Sequence, residues 1–297
     1  MKRTIVISQP CRINISNDQL VCAKSDESTL SVSFEDLGIL LLETSQYIIT
    51  GAALSRLMEA KVAVITCTDN HHPNGLLLPL AGGGTHTEVL RTQVEASQPL
   101  RKQLWKVTVK AKISNQAVFS KQWGDHADPL FRWSKKVRSG DPDNYEARAA
   151  SWYWKRFLGK TQKFLRDPEG DPPNSLLNYG YAILRAAMAR AVVSSGLHPS
   201  LGIHHRNRYN PFCLADDLME PYRPFVDSIV RGLYFEQGEH YLSRDAKAAL
   251  LSVLTADVLI AGNRRPLLLA MSMSSSSLAE CYAEKSASLT FPTPHEN

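Results

Sequence analysis

The sequence predicts an α+β protein in which a small N-terminal β-rich, sandwich-like domain precedes a larger all-α C-terminal domain. Two observations predict it. Up to about Ala81, short β-branched and alternating runs dominate, whereas beyond that point apolar residues recur at helical spacing almost to the end of the chain. Between the two textures stands Ala81-Gly82-Gly83-Gly84-Thr85, and a triple glycine bends freely and favours neither strand nor helix. The divisions expected are residues 1–80 for a β-rich domain, 81–92 for a linker and 93–297 for a helical domain. The glycines could instead cradle a phosphate, but the Lys-Ser/Thr pair of a P-loop is missing.

In the first domain, Thr4 to Ser8 is β-branched and apolar, and Arg12 to Ser16 and Ser31 to Phe34 alternate. Asn17-Asp18 marks a turn. Ile39 to Leu42 is a continuous apolar run, as in a buried strand. A helix follows, with Thr50 as its cap and Leu54, Leu57 and Met58 as its apolar face. Lys61 to Thr66 and Gly75 to Leu80 read as further strands. In the second domain the expected helices are Val94 to Trp123, Asp143 to Arg166, Ser175 to Ser195, Pro221 to Tyr234, Ser243 to Ala261 and Pro266 to Lys285. Gly262-Asn263 stops one helix and Pro266 opens the next. Ser274 to Ser277 reads as a solvated or frayed stretch inside the last.

Composition narrows the function less than the motifs do. The 297 residues are 43% hydrophobic, which suffices for a sizeable core, and 34 Lys+Arg against 29 Asp+Glu give a net charge of +5. Such a charge suits a polyanionic partner without requiring one. The five cysteines (Cys11, Cys22, Cys67, Cys213 and Cys281) form no C-x-x-C pair, so neither a disulfide framework nor a zinc knuckle is indicated. No run reaches the roughly 20 apolar residues of a membrane span, and no signal peptide follows the N-terminus. The expectation is a cytoplasmic protein with no membrane partner.

Three clusters can carry chemistry. Glu146 lies on a helix face continued by Ala149, Ala150, Tyr153 and Phe157, where a carboxylate is partly buried and needs a cation. Asp143 and Glu146 are equally well spaced as a capping box, which would make Glu146 a helix cap. His204 and His205 follow a short apolar stretch and precede Arg206 and Arg208. One histidine can ligate metal or transfer protons, and arginines grip phosphates in bidentate fashion; a polar surface loop is the plainer alternative. Asp217 and Glu220 are three residues apart, and two like charges so close repel unless a cation lies between them. Acids at a helix N-terminus, favoured by the dipole, are the alternative there. A Glu, His and Asp/Glu set suits Mg²⁺ or Mn²⁺ better than Zn²⁺. Basic residues interleaved with aromatics add to the picture: Arg101, Lys102, Lys106, Lys110 and Lys112 around Trp105; Arg132 to Arg138 around Trp133; and Lys155 to Arg166. Each run alone reads as a solvated face, but three together point to phosphate-backbone contact.

Three motifs occur in order: Asn174 to Leu184, Gly196 to His205 and Asp217 to Asp227. With them, the sequence resembles the CRISPR-associated integrase family, the first CRISPR-associated protein. The stretch from Leu104 to Ala117 resembles the branch found with type II systems. The resemblance implies a β-sandwich-like N-terminal domain that dimerises and a helical catalytic domain. It implies spacer acquisition by metal-dependent transesterification, in which 3′-hydroxyl ends of a short duplex are joined into the CRISPR repeat, together with endonuclease activity. The family's metal ligands fall on Glu146, His205 and Glu220, with Asp217 as a further acid, and the cofactor implied is Mg²⁺ or Mn²⁺. Arg206, Arg208, Arg223, Lys102, Lys106 and Lys110 are the candidate DNA contacts. Implied partners are double-stranded DNA (prespacer and repeat), a second copy of the chain and a small ferredoxin-like second CRISPR-associated protein; other type II adaptation or effector proteins are further candidates. A structure-specific nuclease that never joins ends and a non-catalytic DNA-binding scaffold are the alternatives.

Overall fold

The computed structural model describes residues 2–24, 28–80, 85–159 and 164–295, and the chain divides into two compact units, 1–86 and 87–297. The glycine-rich stretch 81–84 lies outside the described residues.

The first unit comprises β1 (Arg3–Ile7), β2 (Cys11–Ser16), β3 (Gln19–Lys24), β4 (Thr29–Ser33), β5 (Leu37–Leu42), β6 (Tyr47–Ile49), α1 (Gly51–Glu59), β7 (Ala63–Cys67) and β8 (Pro73–Leu77). These form two four-stranded sheets, in the orders β1-β5-β7-β8 and β4-β3-β2-β6. The β2–β3 hairpin closes over Asn17 and Asp18, both at positive φ, which is what a two-residue turn between right-twisted strands demands. β5 is buried along its whole length, with parallel neighbours on both sides. Ile13 and Leu20 from one sheet, Leu40 and Val64 from the other and Leu57 from α1 share one core. Thr50 caps α1 by accepting from the Ala53 N–H at 3.3 Å.

The second unit is mainly helical: α2 (His86–Glu95), α3 (Gln98–Gln122), α4 (Asp128–Lys136), α5 (Tyr145–Trp154), α6 (Asn174–Ser194), α7 (Cys213–Met219), α8 (Arg223–Glu236), α9 (Arg244–Ser252) and α10 (Leu267–Glu284). The Ala/Leu-rich α6 is buried along most of its length and is packed by α7, α8, α9 and α10, so it forms the axis of the unit. None of the helices is long and apolar enough to cross a membrane among the described residues.

Several elements differ from the sequence reading. Residues 86–92, read as linker, lie in α2. The helix expected from Val94 begins at Gln98, because Ser97 caps it by accepting from the Leu100 N–H and Pro99 occupies its first turn. The helix expected over Asp143 to Arg166 stops at Trp154. The Phe157 carbonyl is taken by the Arg231 guanidinium and Gly159 turns left-handed, so the ladder does not continue. Lys160 and Lys163, read on that helix, lie outside the described residues. The helix expected over Ser243 to Ala261 ends at Ser252. β9 (Asp257–Ile260) follows, and Ala261 and Gly262, at positive φ, turn the chain into β10 (Asn263–Pro266). With β11 (Thr293–Pro294) these strands make a small sheet, β10-β9-β11, inside the helical unit. The serine run is solvated only in part: Ser276 is exposed, but Ser274 and Ser275 are fully buried, and Ser274 accepts or donates to Tyr222 Oη at 2.7 Å and donates to the Thr290 carbonyl at 2.6 Å.

Candidate active site

Glu220 sits at a break in the chain. α7 stops at Met219 because Pro221 supplies no N–H, a single 3₁₀ turn over Glu220–Tyr222 follows, and Pro224 in its first turn starts α8. The break is fixed from α3, where buried Asn115 donates to the Pro221 carbonyl at 2.7 Å and to the Pro292 carbonyl at 3.0 Å. Tyr222, on Ser274, anchors the other end of the turn. The Glu220 carboxylate is thereby held in the interior, 9% exposed, among cations.

Glu146 reaches the same place from α5. Asp141 is the residue that caps this helix, accepting from the Tyr145 N–H at 3.0 Å and the Glu146 N–H at 2.9 Å, while Asp143 forks onto Arg138. The capping-box reading of Asp143 and Glu146 is therefore not what the structure shows, and the Glu146 side chain is left to point elsewhere. Its Oε1 accepts from Lys112 Nζ at 2.7 Å, and the same ammonium lies 2.6 Å from Glu220 Oε2. One cation thus spans two carboxylates from different helices. Arg223 Nε meets the other Glu220 oxygen at 2.9 Å, and its guanidinium lies 4.6 Å over the Tyr181 ring. Burial pushes the Glu220 carboxyl up, but Arg223 and then Lys112 outweigh it and hold it at about 2.

His205 is placed by a wrapped loop. Buried Gln93 on α2 donates to the His198 and Leu201 carbonyls and accepts from the His198 N–H. Gly202 lies so close that a Cβ there would come within 2.3 Å of the His205 carbonyl and 2.9 Å of Asp217 Oδ2. Fully buried Asp217 is the hub: it accepts from the His204 N–H at 2.8 Å and meets His205 Nδ1 at 2.5 Å. That hydrogen bond raises His205 above the ordinary imidazole value, burial works against it, and the charges of Glu220 and Glu146 add to the rise. The two histidines are thus distinguished. His204 stacks flat on Trp105, centroids 4.3 Å apart, whereas His205 is tethered through Nδ1, which leaves Nε2 for a ligand.

The structure brings Glu146, Glu220 and His205 into one electrostatic neighbourhood and places Asp217 behind His205. Arg223 is engaged with Glu220 within the cluster, and Lys112, read as one of several backbone-binding lysines, stands at its centre. The exposed Arg206 and Arg208 line a 350 Å³ cleft with Arg101 and His205, and Lys102 lines a neighbouring 240 Å³ cleft with Arg206, Trp105 and His204. Lys106 and Lys110 lie half-buried along α3. Gln93, Asn115 and Lys112 are the positioning residues that the sequence did not single out in these roles.

The model of the family described as CRISPR associated protein Cas1 matches residues 4–251. The chain belongs to the Cas1 family. Among Cas1 relatives it is 39% identical, over 238 residues, to the CRISPR-associated endonuclease Cas1 of Neisseria meningitidis serogroup C, covering 80% of this chain and 77% of the relative. It is 29% identical to a CRISPR-associated endonuclease Cas1 of Pyrobaculum aerophilum, covering 77% of this chain and 81% of that one. Its fold is similar to a casposase bound to integration product (TM-score 0.79, 22% identity, 97% of this chain and 92% of that one). A Cas1 protein from Thermotoga maritima shares it as well (TM-score 0.76, 16% identity, 95% and 97% covered). The mixed architecture of a β-rich region and a helical region is thus the Cas1 fold.

Among the described residues, no three His, Cys, Asp or Glu side chains stand close enough to hold a metal ion as arranged. The donor chemistry nonetheless suits one. Two carboxylates already close on a single cation, the Lys112 ammonium, and an imidazole with its other nitrogen fixed by a buried carboxylate lies beside them. Hard oxygens with one nitrogen suit a small divalent ion.

Proposed function

We propose that this chain is the integrase-nuclease of CRISPR spacer acquisition, acting on double-stranded DNA. The observation that carries this reading is the pair of carboxylates, Glu146 and Glu220, closing on one cation within electrostatic reach of the Asp217-tethered His205, which itself lines a cleft with Arg101, Arg206 and Arg208. Membership of the Cas1 family supports it. Glu146, Glu220 and His205 would hold a divalent ion, Mg²⁺ or Mn²⁺, which when bound would offset negative charge at the scissile phosphate.

The chain's own residues do the rest. Asp217 fixes the His205 ring and its tautomer. Arg223 keeps Glu220 ionised and buried. Arg206 and Arg208 grip phosphates of the strand, and Lys102, Lys106 and Lys110 along α3 extend the track. The attacking group is the 3′-hydroxyl of a short duplex, and its displacement of a phosphodiester at the repeat is a direct transesterification that needs no covalent protein intermediate. With water in the place of that hydroxyl the same groups cut DNA. The name of the Neisseria relative, an endonuclease, favours this second activity at the same site. A two-ended insertion needs two sites, which a second copy of the chain joined through the β-rich unit would supply. The Cas6-RT-Cas1–Cas2 complex among the similar folds (TM-score 0.76, 20% identity, all of this chain and 36% of that one) supports a small Cas2-type partner.

The test is strand transfer. Purified chain, with and without its small partner, is given labelled short duplex and a supercoiled repeat plasmid in Mg²⁺ or Mn²⁺. Joined product that disappears with Glu146→Ala supports the reading. Cleavage without joining under every condition moves it to a nuclease, and DNA binding with neither product moves it to a scaffold.

A further inference from the structure

Lys112 occupies the position between Glu146 and Glu220 that a metal would need. Its side chain is 12% exposed, its ammonium lies 2.7 and 2.6 Å from the two carboxylates, and its helix neighbours Thr108 and Asn115 are buried. Glu146 and Glu220 face Lys112 and Arg223, and the buried Asp217 stands behind His205. With His205 neutral, a divalent ion added with both cations in place would leave an excess positive charge in a buried pocket, and the ion would face two cations at close range, which is strongly unfavourable. One cation has to leave. Arg223 is a planar fork clamped between Glu220 and the Tyr181 ring, whereas Lys112 is a point charge on a flexible four-carbon stem.

We propose that Lys112 is a resident counter-cation of the site: it holds Glu146 and Glu220 together when no metal is bound, gives up both when a divalent ion enters, and then places its ammonium on a phosphate oxygen of the bound strand. The inference rests on the functional reading above. It makes metal and DNA binding mutually reinforcing, because each provides for the charge that the other displaces or brings.

The test is Mn²⁺ affinity by isothermal titration of the full chain, with and without a short duplex, for the wild type, Lys112→Gln, Lys112→Arg and Glu220→Gln. Removing the internal competitor forfeits a charge-assisted contact, so Lys112→Gln without DNA binds Mn²⁺ about tenfold to a hundredfold tighter than wild type. Lys112→Arg, which keeps the charge, binds no tighter, and the strengthening by duplex DNA is smaller in Lys112→Gln than in wild type. Equal or weaker Mn²⁺ binding by Lys112→Gln, with binding lost in Glu220→Gln, overturns the role of Lys112 and leaves the metal site standing. Identical binding by wild type and Glu220→Gln overturns the metal site itself. If Lys112→Gln folds poorly in chelator, its melting temperature is read against added Mn²⁺: recovery by the ion supports the inference, and no recovery overturns it.

Discussion

Glu220 and Asp227 lie two helical turns apart, on the 3₁₀ turn that leads into α8 and on α8 itself, and both are buried, yet their surroundings drive them in opposite directions. Glu220 faces Lys112 and Arg223, whose charges bring it down to about 2 against the cost of burial. Asp227 faces two phenols: Tyr153 Oη donates to it at 3.0 Å from α5, and Tyr181 Oη donates from α6. There burial outweighs the phenols and the more distant Arg223 and Arg166, and pushes the carboxyl up to about 7. The difference teaches what each is for. A carboxylate surrounded by cations is a standing anion ready to exchange one cation for another; one capped by neutral donors is a joint tying three helices together. Tyr181 links them, with its face under Arg223 and its hydroxyl on Asp227.

The sharpest way to break this division is to neutralise each acid in turn. Glu220→Gln is expected to lower joining and cleavage by about 10²–10³-fold, the usual cost of removing a group that stabilises transition-state charge. Asp227→Asn is expected to stay within a few-fold of wild type in the same labelled-duplex assay. Equal losses in the two variants would merge the clusters into one functional unit. A step smaller is Asp217→Asn, which removes the partner that orients His205 rather than a group facing the substrate. An activity loss of about 10–100-fold is expected, and the His205 ring, followed by NMR, should titrate at lower pH than in wild type because the charged acceptor that raises it has become a neutral amide. A His205 titration unmoved by Asp217→Asn would remove Asp217 from this role. Smaller again is Asn115→Ala, which leaves the buried Pro221 and Pro292 carbonyls without their donor. Urea denaturation should show a loss of about 1–3 kcal/mol, and an unchanged midpoint would mean that the break at Glu220 is held by the prolines alone.

Much of this was legible in the sequence, and most of what was not shares one cause. α6 and α10 were expected over Ser175 to Ser195 and Pro266 to Lys285 and occupy Asn174–Ser194 and Leu267–Glu284, because composition and proline punctuation are local signals. Glu146, His205, Asp217 and Glu220 were candidates by their spacing, with helix caps and a polar loop as open alternatives, and it was the resemblance to the family that set them apart. Lys112 did not stand out, since a lysine in a basic run looks the same whether it faces water or two carboxylates contributed by α5 and by the turn after α7. Its face offered a faint signal: Thr108 and Asn115, four residues before and three after, are polar residues on the same side of the helix, and both are buried. Ser274 misled for the same reason, because Tyr222, which claimed it, lies far away in sequence; the Ser243 to Ala261 stretch misled at its end because β9 folds back on its near neighbour β10 through the Ala261-Gly262 turn.

The two acids act in adjoining pH windows with opposite signs. Glu220 is depressed from 4.5 to about 2, so its contribution to stability is complete above pH 4.5 and is lost as pH falls toward 2. Asp227 is raised from 3.8 to about 7, so the folded state holds a proton that the unfolded chain has released, and its contribution falls as pH rises from about 4 to 7. Urea midpoints of wild type and Asp227→Asn, measured at intervals from pH 4.5 to 8, isolate the second effect, because Glu220 and His205 are common to both proteins and cancel in the difference. The variant is expected to gain on wild type across that range, by about 3 kcal/mol or on the order of 1 M in urea at the upper end, with the gain levelling off above pH 7. A constant difference at every pH would mean that Asp227 is ionised throughout, and its surroundings would then have to be regarded as a second cation-holding site rather than a joint.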